Sequence, residues 1–335
     1  MPARLIEIVT PAEQQHLVRS IVEHQPQSIL WKTQTIDDRV IFRAVVLAQD
    51  VEGVLDPLEK SLKDDPRFQA VVYPLEATLP PLEEPPPEES KTKRRRSRVS
   101  RAELYDDLSE FARITPVFLA MAALATITAA VGLANDNAAV IIGAMVIAPL
   151  LGPNMALSLA TTLADLKLAK RALITNTAGL LCAATFAAII AIILDLPVDG
   201  SEVALRINPK PADIAVALAA GVAGALAATT GVAMSLVGVM VAVALLPPLV
   251  VAVMFAVDGN WPEAANAALL LTLNIVCVNL AGVGTFLGQG VRPFGWDEGK
   301  RAKRIALSVL AFWIIVLLAV AGAIVYLSIF GGKLD

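Results

Sequence analysis

The chain has 335 residues, of which 56% are hydrophobic and only 17% charged, and its mean hydropathy is +0.66. That balance excludes an ordinary soluble globular protein. The formal net charge of −4 averages over regions of opposite sign, so local charge says more than the total.

The first hundred residues hold no apolar run long enough to cross a bilayer. Met1 to Arg4 leads directly into charged and alternating residues, so no cleavable signal peptide is expected and the amino terminus is expected in the cytosol. Arg4 to Val9 reads as a strand and Pro11 to His24 as a helix with Leu17, Ile21 and Val22 on one side. Ser28 to Ile36 and Arg39 to Ala48 read as two further strands joined at Asp37-Asp38, Asp50 to Lys63 as a second helix, and Phe68 to Tyr73 as a last strand. The order βαββαβ predicts a ferredoxin-like α+β domain over residues 1–78, in the cytosol. Such modules pair sheets or bind small molecules, so a small-molecule ligand of this domain is an expectation from fold alone. His16 and His24 lie eight positions apart with no Cys or carboxylate cluster to complete a metal site, and a solvated helix face is expected. Neither a metal nor any other cofactor is expected.

Residues 79–99 form a Pro-rich linker, acidic at first and then basic through Lys91, Lys93, Arg94, Arg95, Arg96 and Arg98. A basic run of this kind suits nucleic acid, but its place just before a membrane segment favours anionic lipid, so no nucleic acid is expected as partner. Residues 100–113 read as an amphipathic interfacial helix with Leu104, Leu108 and Phe111 toward the bilayer.

About seven spans follow, at Pro116–Leu133, Ala138–Leu163, Ala172–Leu194, Ile214–Thr230, Ala233–Val257, Ala264–Leu287 and Ile305–Phe330. With the amino terminus inside, the loops carrying Lys167, Lys170 and Arg171, and Arg292, Lys300, Arg301, Lys303 and Arg304, fall inside, as the positive-inside rule requires. Arg206 and Lys210, in the longest outer loop, are exceptions. The carboxyl terminus is then expected outside. Cys182 and Cys277 lie within spans, where buried free thiols are expected.

Shifting the membrane half by about 95 residues places Pro116 on Pro211, Ala138 on Ala233 and Cys182 on Cys277. The segment Gly143 to Pro153 then falls on Gly238 to Pro248 without a gap, sharing Gly, Met, Val, Leu, Leu and Pro. Residues 114–196 and 211–288 are thus predicted to be two three-helix repeats, and an odd number of spans inverts the second; residues 302–330 add one more span. The prolines predict interrupted helices in the second and fifth spans, which lipid tolerates only where protein or water satisfies the freed backbone. The two segments are expected to face one another across the pseudo-two-fold axis. The candidate solute-binding residues are Pro149, Gly152, Pro153, Asn154, Asn176, Leu246, Pro247, Pro248 and Asn274. Two kinked helices that merely pack, with asparagines bonding neighbouring helices, remain the alternative. Ionisable groups sit near span ends, which disfavours a proton relay and favours a neutral or weakly polar solute, or an ion held by carbonyls and amides.

Asn135-Asp136-Asn137 followed by Ile141 to Pro153 resembles the prokaryotic "uncharacterised hydrophobic domain" family of membrane proteins, domain of unknown function 389. The resemblance covers roughly residues 115–258. It implies a bacterial or archaeal cytoplasmic membrane protein and brings no substrate or catalytic residue with it. No catalytic residue is expected, because no His-Glu zinc pattern or Gly-x-Ser-x-Gly elbow occurs and no span holds a histidine. The sequence therefore suggests a transporter or channel-like protein for a small solute or ion with a regulatory or assembly domain. The alternative is a membrane-anchored sensor or scaffold without transport. Small residues along the spans, as in Ala217 to Ala228, further suggest a homo-oligomer within the lipid bilayer.

Overall fold

The computed structural model describes residues 3–24, 28–36, 38–62, 65–75, 78, 100–194, 198–230 and 234–291, with isolated positions between 311 and 322. The linker 79–99 and most of the span predicted at 305–330 lie outside the described residues. The chain divides into two compact units, Met1–Leu104 and Tyr105–Asp335.

In the first unit, strand β1 (Ala3–Pro11) is followed by helix α1 (Gln15–Glu23), strands β2 (Ile29–Ile36) and β3 (Arg39–Leu47), helix α2 (Val51–Leu62) and strand β4 (Gln69–Leu75). The four strands form one sheet in the order β2-β3-β1-β4, every neighbouring pair antiparallel. This is the split βαβ arrangement that the sequence predicts. Ile6 and Ile8 of β1 and Phe42, Ala44 and Val46 of β3 point to one face, where Val18 and Val22 of α1 and Val54, Leu58 and Leu62 of α2 cover them. On α1 the buried residues are Val18 and Val22, one helical turn apart, while Leu17, expected in the core, is 37% exposed. Ser100–Leu104 belongs to this unit as well: Glu103 takes a bond from Arg4 at 3.3 Å, and Arg101 pairs with Asp56 of α2 at 2.5 Å.

The second unit is helical, and it begins at Tyr105, four residues into a helix that starts in the first unit. Helix α3 (Arg101–Phe111) leads into α4 (Pro116–Ala134), α5 (Ala138–Ile147), α6 (Leu151–Leu163), α7 (Leu166–Leu194), α8 (Ser201–Ile207), α9 (Pro211–Thr230), α10 (Met234–Val257) and α11 (Trp261–Gly288). Of the apolar residues of α3, Leu104 and Leu108 are buried and Phe111 is exposed. Among the described residues, four helices, α4, α7, α9 and α11, are long and apolar enough to cross a membrane. A fifth span results if α5 and α6, bent by 54° at their junction, count as one. Helix α7 has 29 residues, a length of about 44 Å at 1.5 Å per residue, so its basic first turns around Lys167, Lys170 and Arg171 extend past a hydrocarbon core of roughly 30 Å.

The caps explain why the chain turns where it does. Thr115 accepts the Phe118 N–H at 3.1 Å ahead of Pro116, which needs no N–H at a helix start. Asn135, Asp136 and Asn137 divide the work of one corner. The Asn135 side chain donates to the Val131 carbonyl at the end of α4, and Asn137 accepts from the Ala139 and Val140 N–H groups at the start of α5. Asp136 adopts the left-handed region, φ 50°, and reaches α8, where it accepts the Ser201 hydroxyl and the Glu202 N–H, each at 2.7 Å. At the next corner Ala164 takes φ 56°, and Asp165 caps α7 through the Lys167 and Leu168 N–H groups while accepting the Tyr105 hydroxyl at 2.8 Å. Burial pushes the Asp165 carboxyl up, but the Leu168 N–H, the Tyr105 hydroxyl and the Lys167 N–H together hold it below its ordinary value.

Candidate functional site

The break between α5 and α6 follows from Pro149. A residue before proline is pushed out of the helical region, and Ala148 has φ −65° and ψ 120°, extended backbone that ends α5. Helix α6 restarts at Leu151, so Pro153 stands in its first turn, where a missing N–H costs nothing. The second expected interruption, Leu245 to Pro248, is different. Helix α10 runs unbroken from Met234 to Val257 with Pro247 and Pro248 inside it. The reason lies in the aligned sequences: Pro149 of the first segment corresponds to Ala244 of the second, so only the first carries a proline at the breaking position.

Pro248 still leaves a defect. It has no N–H for the carbonyl four residues earlier, that of Ala244. The Asn274 side chain of α11 supplies the missing donor, its Nδ2 lying 2.6 Å from the Ala244 oxygen. Asn274 is 5% exposed, and Leu246 beside the two prolines is 1% exposed.

The other asparagines form a separate cluster. Asn154 Nδ2 donates to Asn176 Oδ1 of α7 at 3.1 Å and to the Leu150 carbonyl at 2.8 Å. Asn154 Oδ1 accepts from Asn279 Nδ2 of α11 at 2.9 Å, and Asn279 Oδ1 accepts the Ser158 hydroxyl at 3.2 Å. These four buried side chains join α6, α7 and α11 through hydrogen bonds to one another. Gly152 and Pro153 are buried beside them, and Pro149 is half-buried. Gly152 is a place of close approach, because a Cβ there would lie 2.7 Å from the Cβ of Phe111. Asn274 and Asn279 are five residues apart on α11, so they point about 140° apart around the helix, one toward α10 and one toward α6.

A cavity of about 240 Å³ opens between α8, α9, α10 and α11. Ala244, Pro248 and Asn274 contribute to its lining, together with Arg206, Lys210 and Asp213. Of the candidates from sequence, Pro248 and Asn274 therefore meet at a cavity, whereas Asn154 and Asn176 meet in the amide cluster. Sequence reasoning missed Arg206 and Lys210 as site residues. Their exception to the positive-inside pattern was the signal that could have found them. Among the described residues no group of three or more His, Cys, Asp or Glu side chains could hold a metal ion.

Comparison with known proteins places the chain. The family described as Domain of unknown function (DUF389) matches residues 145–280. Uncharacterized protein MJ0678 of Methanocaldococcus jannaschii is 31% identical over 328 residues, covering 97% of this chain and 100% of the relative. The chain belongs to the DUF389 family. The matched stretch of this DUF389 protein begins within α5 and ends within α11, so it contains the break, the amide cluster, the cavity and the α10 defect. No solved structure matches the chain.

Proposed function

We propose that this DUF389 protein is a non-enzymatic transporter or channel-like protein for a small solute or ion, built from two inverted three-helix repeats in a prokaryotic cytoplasmic membrane. The observation that carries the proposal is the pattern of helix neighbours. Exchanging α4 with α9, α5/α6 with α10 and α7 with α11 turns the pair α6–α11 into α10–α7 and the pair α6–α9 into α10–α4, and all four pairs are in contact. The neighbours within the two sets exchange in the same way, and α5 meets α10 where the axis would pass. An arrangement of inverted repeats with a broken span and a second span carrying a proline defect is the construction used by many secondary transporters. The bend of 54° between α5 and α6 supports it.

In this proposal the first unit is cytosolic and serves regulation or assembly, and the protein is a homo-oligomer. On the face of its sheet away from the helices, Ile29 is 52%, Trp31 46% and Tyr73 44% exposed, which suits a surface that another protein surface covers.

The amide cluster, whose side chains bond one another, favours a second reading, a membrane-anchored sensor or scaffold that passes no solute. Flux through purified protein in liposomes separates the two. The transport proposal expects uptake of at least one small solute above protein-free liposomes, altered in Pro149→Ala and Asn154→Ala. Folded protein that passes none of a panel of small anions, cations and neutral solutes leaves the scaffold.

A further inference from the structure

We infer that the cavity between α8, α9, α10 and α11 binds a small monovalent anion with an apolar tail, of the short-chain carboxylate class. The inference rests on the transport reading and names the solute class for it.

Size comes first. A water molecule's share of liquid is about 30 Å³, so a space of about 240 Å³ suits a solute of a few heavy atoms. Polarity comes second. The polar lining is rich in donors: Arg206, Lys210 and the Asn274 amide. Asn274 spends one amide hydrogen on the Ala244 carbonyl and keeps a second. Lys210 is exposed and makes no ion pair among the described residues. Arg206 pairs with Glu202 at 2.8 Å and also bonds the Glu202 carbonyl. The carboxylate facing the cavity is that of Asp213, and its Oδ2 already accepts the Lys210 backbone N–H at 2.7 Å. Arg206 is already met by Glu202, so Lys210 is the lining cation left for a single negative charge, and Asp213 opposes a second. The remaining wall is apolar, with Leu205, Val216, Ala217 and Leu270, which favours a carboxylate carrying a short hydrocarbon tail over a strongly hydrated inorganic ion.

Position ties the site to the rest of the unit. Helix α8 carries Arg206, packs on α10 and α11, and is held at its start by Asp136 from the α4–α5 corner. The floor of the cavity is the α10 defect itself, where Asn274 and Pro248 meet. A ligand here would touch both α8 and the proline-bearing stretch of α10.

The test uses full-length protein in detergent, with sodium propionate, propanol and propylammonium chloride as probes at constant ionic strength, read by thermal unfolding and calorimetry. Propionate is expected to raise the midpoint saturably, and propanol and propylammonium are not. Lys210→Gln is expected to weaken propionate binding by about tenfold, since it removes a charge-assisted contact. Val216→Trp, which fills the cavity, is expected to abolish binding, and Lys170→Gln, outside the cavity, to leave it unchanged. Equal propionate affinity in the wild type, Lys210→Gln and Val216→Trp overturns the inference, and so does equal stabilisation by propanol. Flux of another solute without propionate binding overturns it too while leaving transport standing. Propionate binding with no flux of propionate or of any other solute in the panel keeps the site and sinks the transport reading.

Discussion

Asn274 Nδ2 lies 2.6 Å from the carbonyl oxygen of Ala244, the acceptor that Pro248, four residues on, leaves without its helical N–H. A side chain from one helix thus completes the backbone of another. Asn274→Ala should leave that carbonyl unpaired in a buried site and lower stability by about 1–3 kcal/mol. In a Pro248→Ala background the backbone supplies its own donor, and the same replacement should cost less than about 1 kcal/mol. A double-mutant cycle measured by reversible unfolding in detergent checks this, and additive effects would show that the two residues do not act on one carbonyl.

Asp136 ties the α4–α5 corner to α8, and the tie should respond to acid. Its carboxyl is held below its ordinary value of 3.8 by the Ser201 hydroxyl first and the Glu202 N–H next. A lowered carboxyl contributes stability that is fully present above the ordinary value and lost as pH falls through the folded one. Protection of the α8 amides, taken relative to the intrinsic exchange rate at each pH, should therefore be flat from pH 8 down to about 5 and fall only in stronger acid. Asp136→Asn, which suits the left-handed backbone but carries no charge, should speed exchange at neutral pH and remove the acid step. Unchanged exchange in that variant would mean that α8 is held by other contacts.

Gly221 of α9 faces α11 with no room to spare, since a Cβ there would lie 2.5 Å from the Val278 carbonyl oxygen and 2.8 Å from the Ala281 Cβ. Both obstacles are fixed to backbone, so Gly221→Ala should force the helices apart at a cost of about 1–3 kcal/mol. Gly143 has nothing within 4 Å of such an atom, and Gly143→Ala should be neutral or slightly stabilising. Comparing the two midpoints separates a packing requirement from general sensitivity to lost glycine.

Asn154 is the hub of the amide cluster, bonded to Asn176, Asn279 and the Leu150 carbonyl. Bonds between helices in membrane proteins average about 0.6 kcal/mol each, so Asn154→Ala should cost about 1 kcal/mol over the two that cross to α7 and α11. Adding Asn279→Ala should cost less than its effect alone, because the bond between the two is already gone. Full additivity in unfolding measurements would argue that the cluster is not one unit.

How much of this was legible from sequence depends on the range of the interaction. Pro149 forces Ala148 out of the helix by a clash between adjacent residues, and alternation of apolar residues along β1 and β3 set the sheet's buried face. Such effects depend on neighbours in the chain, and the sequence states them outright. Of two proline-bearing segments that share six of eleven positions, however, only one breaks, because Ala244 stands where Pro149 does and Asn274 repairs the remaining defect from 30 residues away.

Order and hydropathy, which are properties of the chain itself, determined that a small α+β domain is followed by helices long and apolar enough to cross a membrane. The tertiary structure alone decided which asparagines pair with each other and which faces a cavity. Asn274 and Asn279 share one helix and one residue type, and they differ only in which neighbour each side of α11 meets. It alone also brought Arg206 and Lys210 over the α10 defect, since hydrogen bonds and cavities depend on distances that no local pattern records.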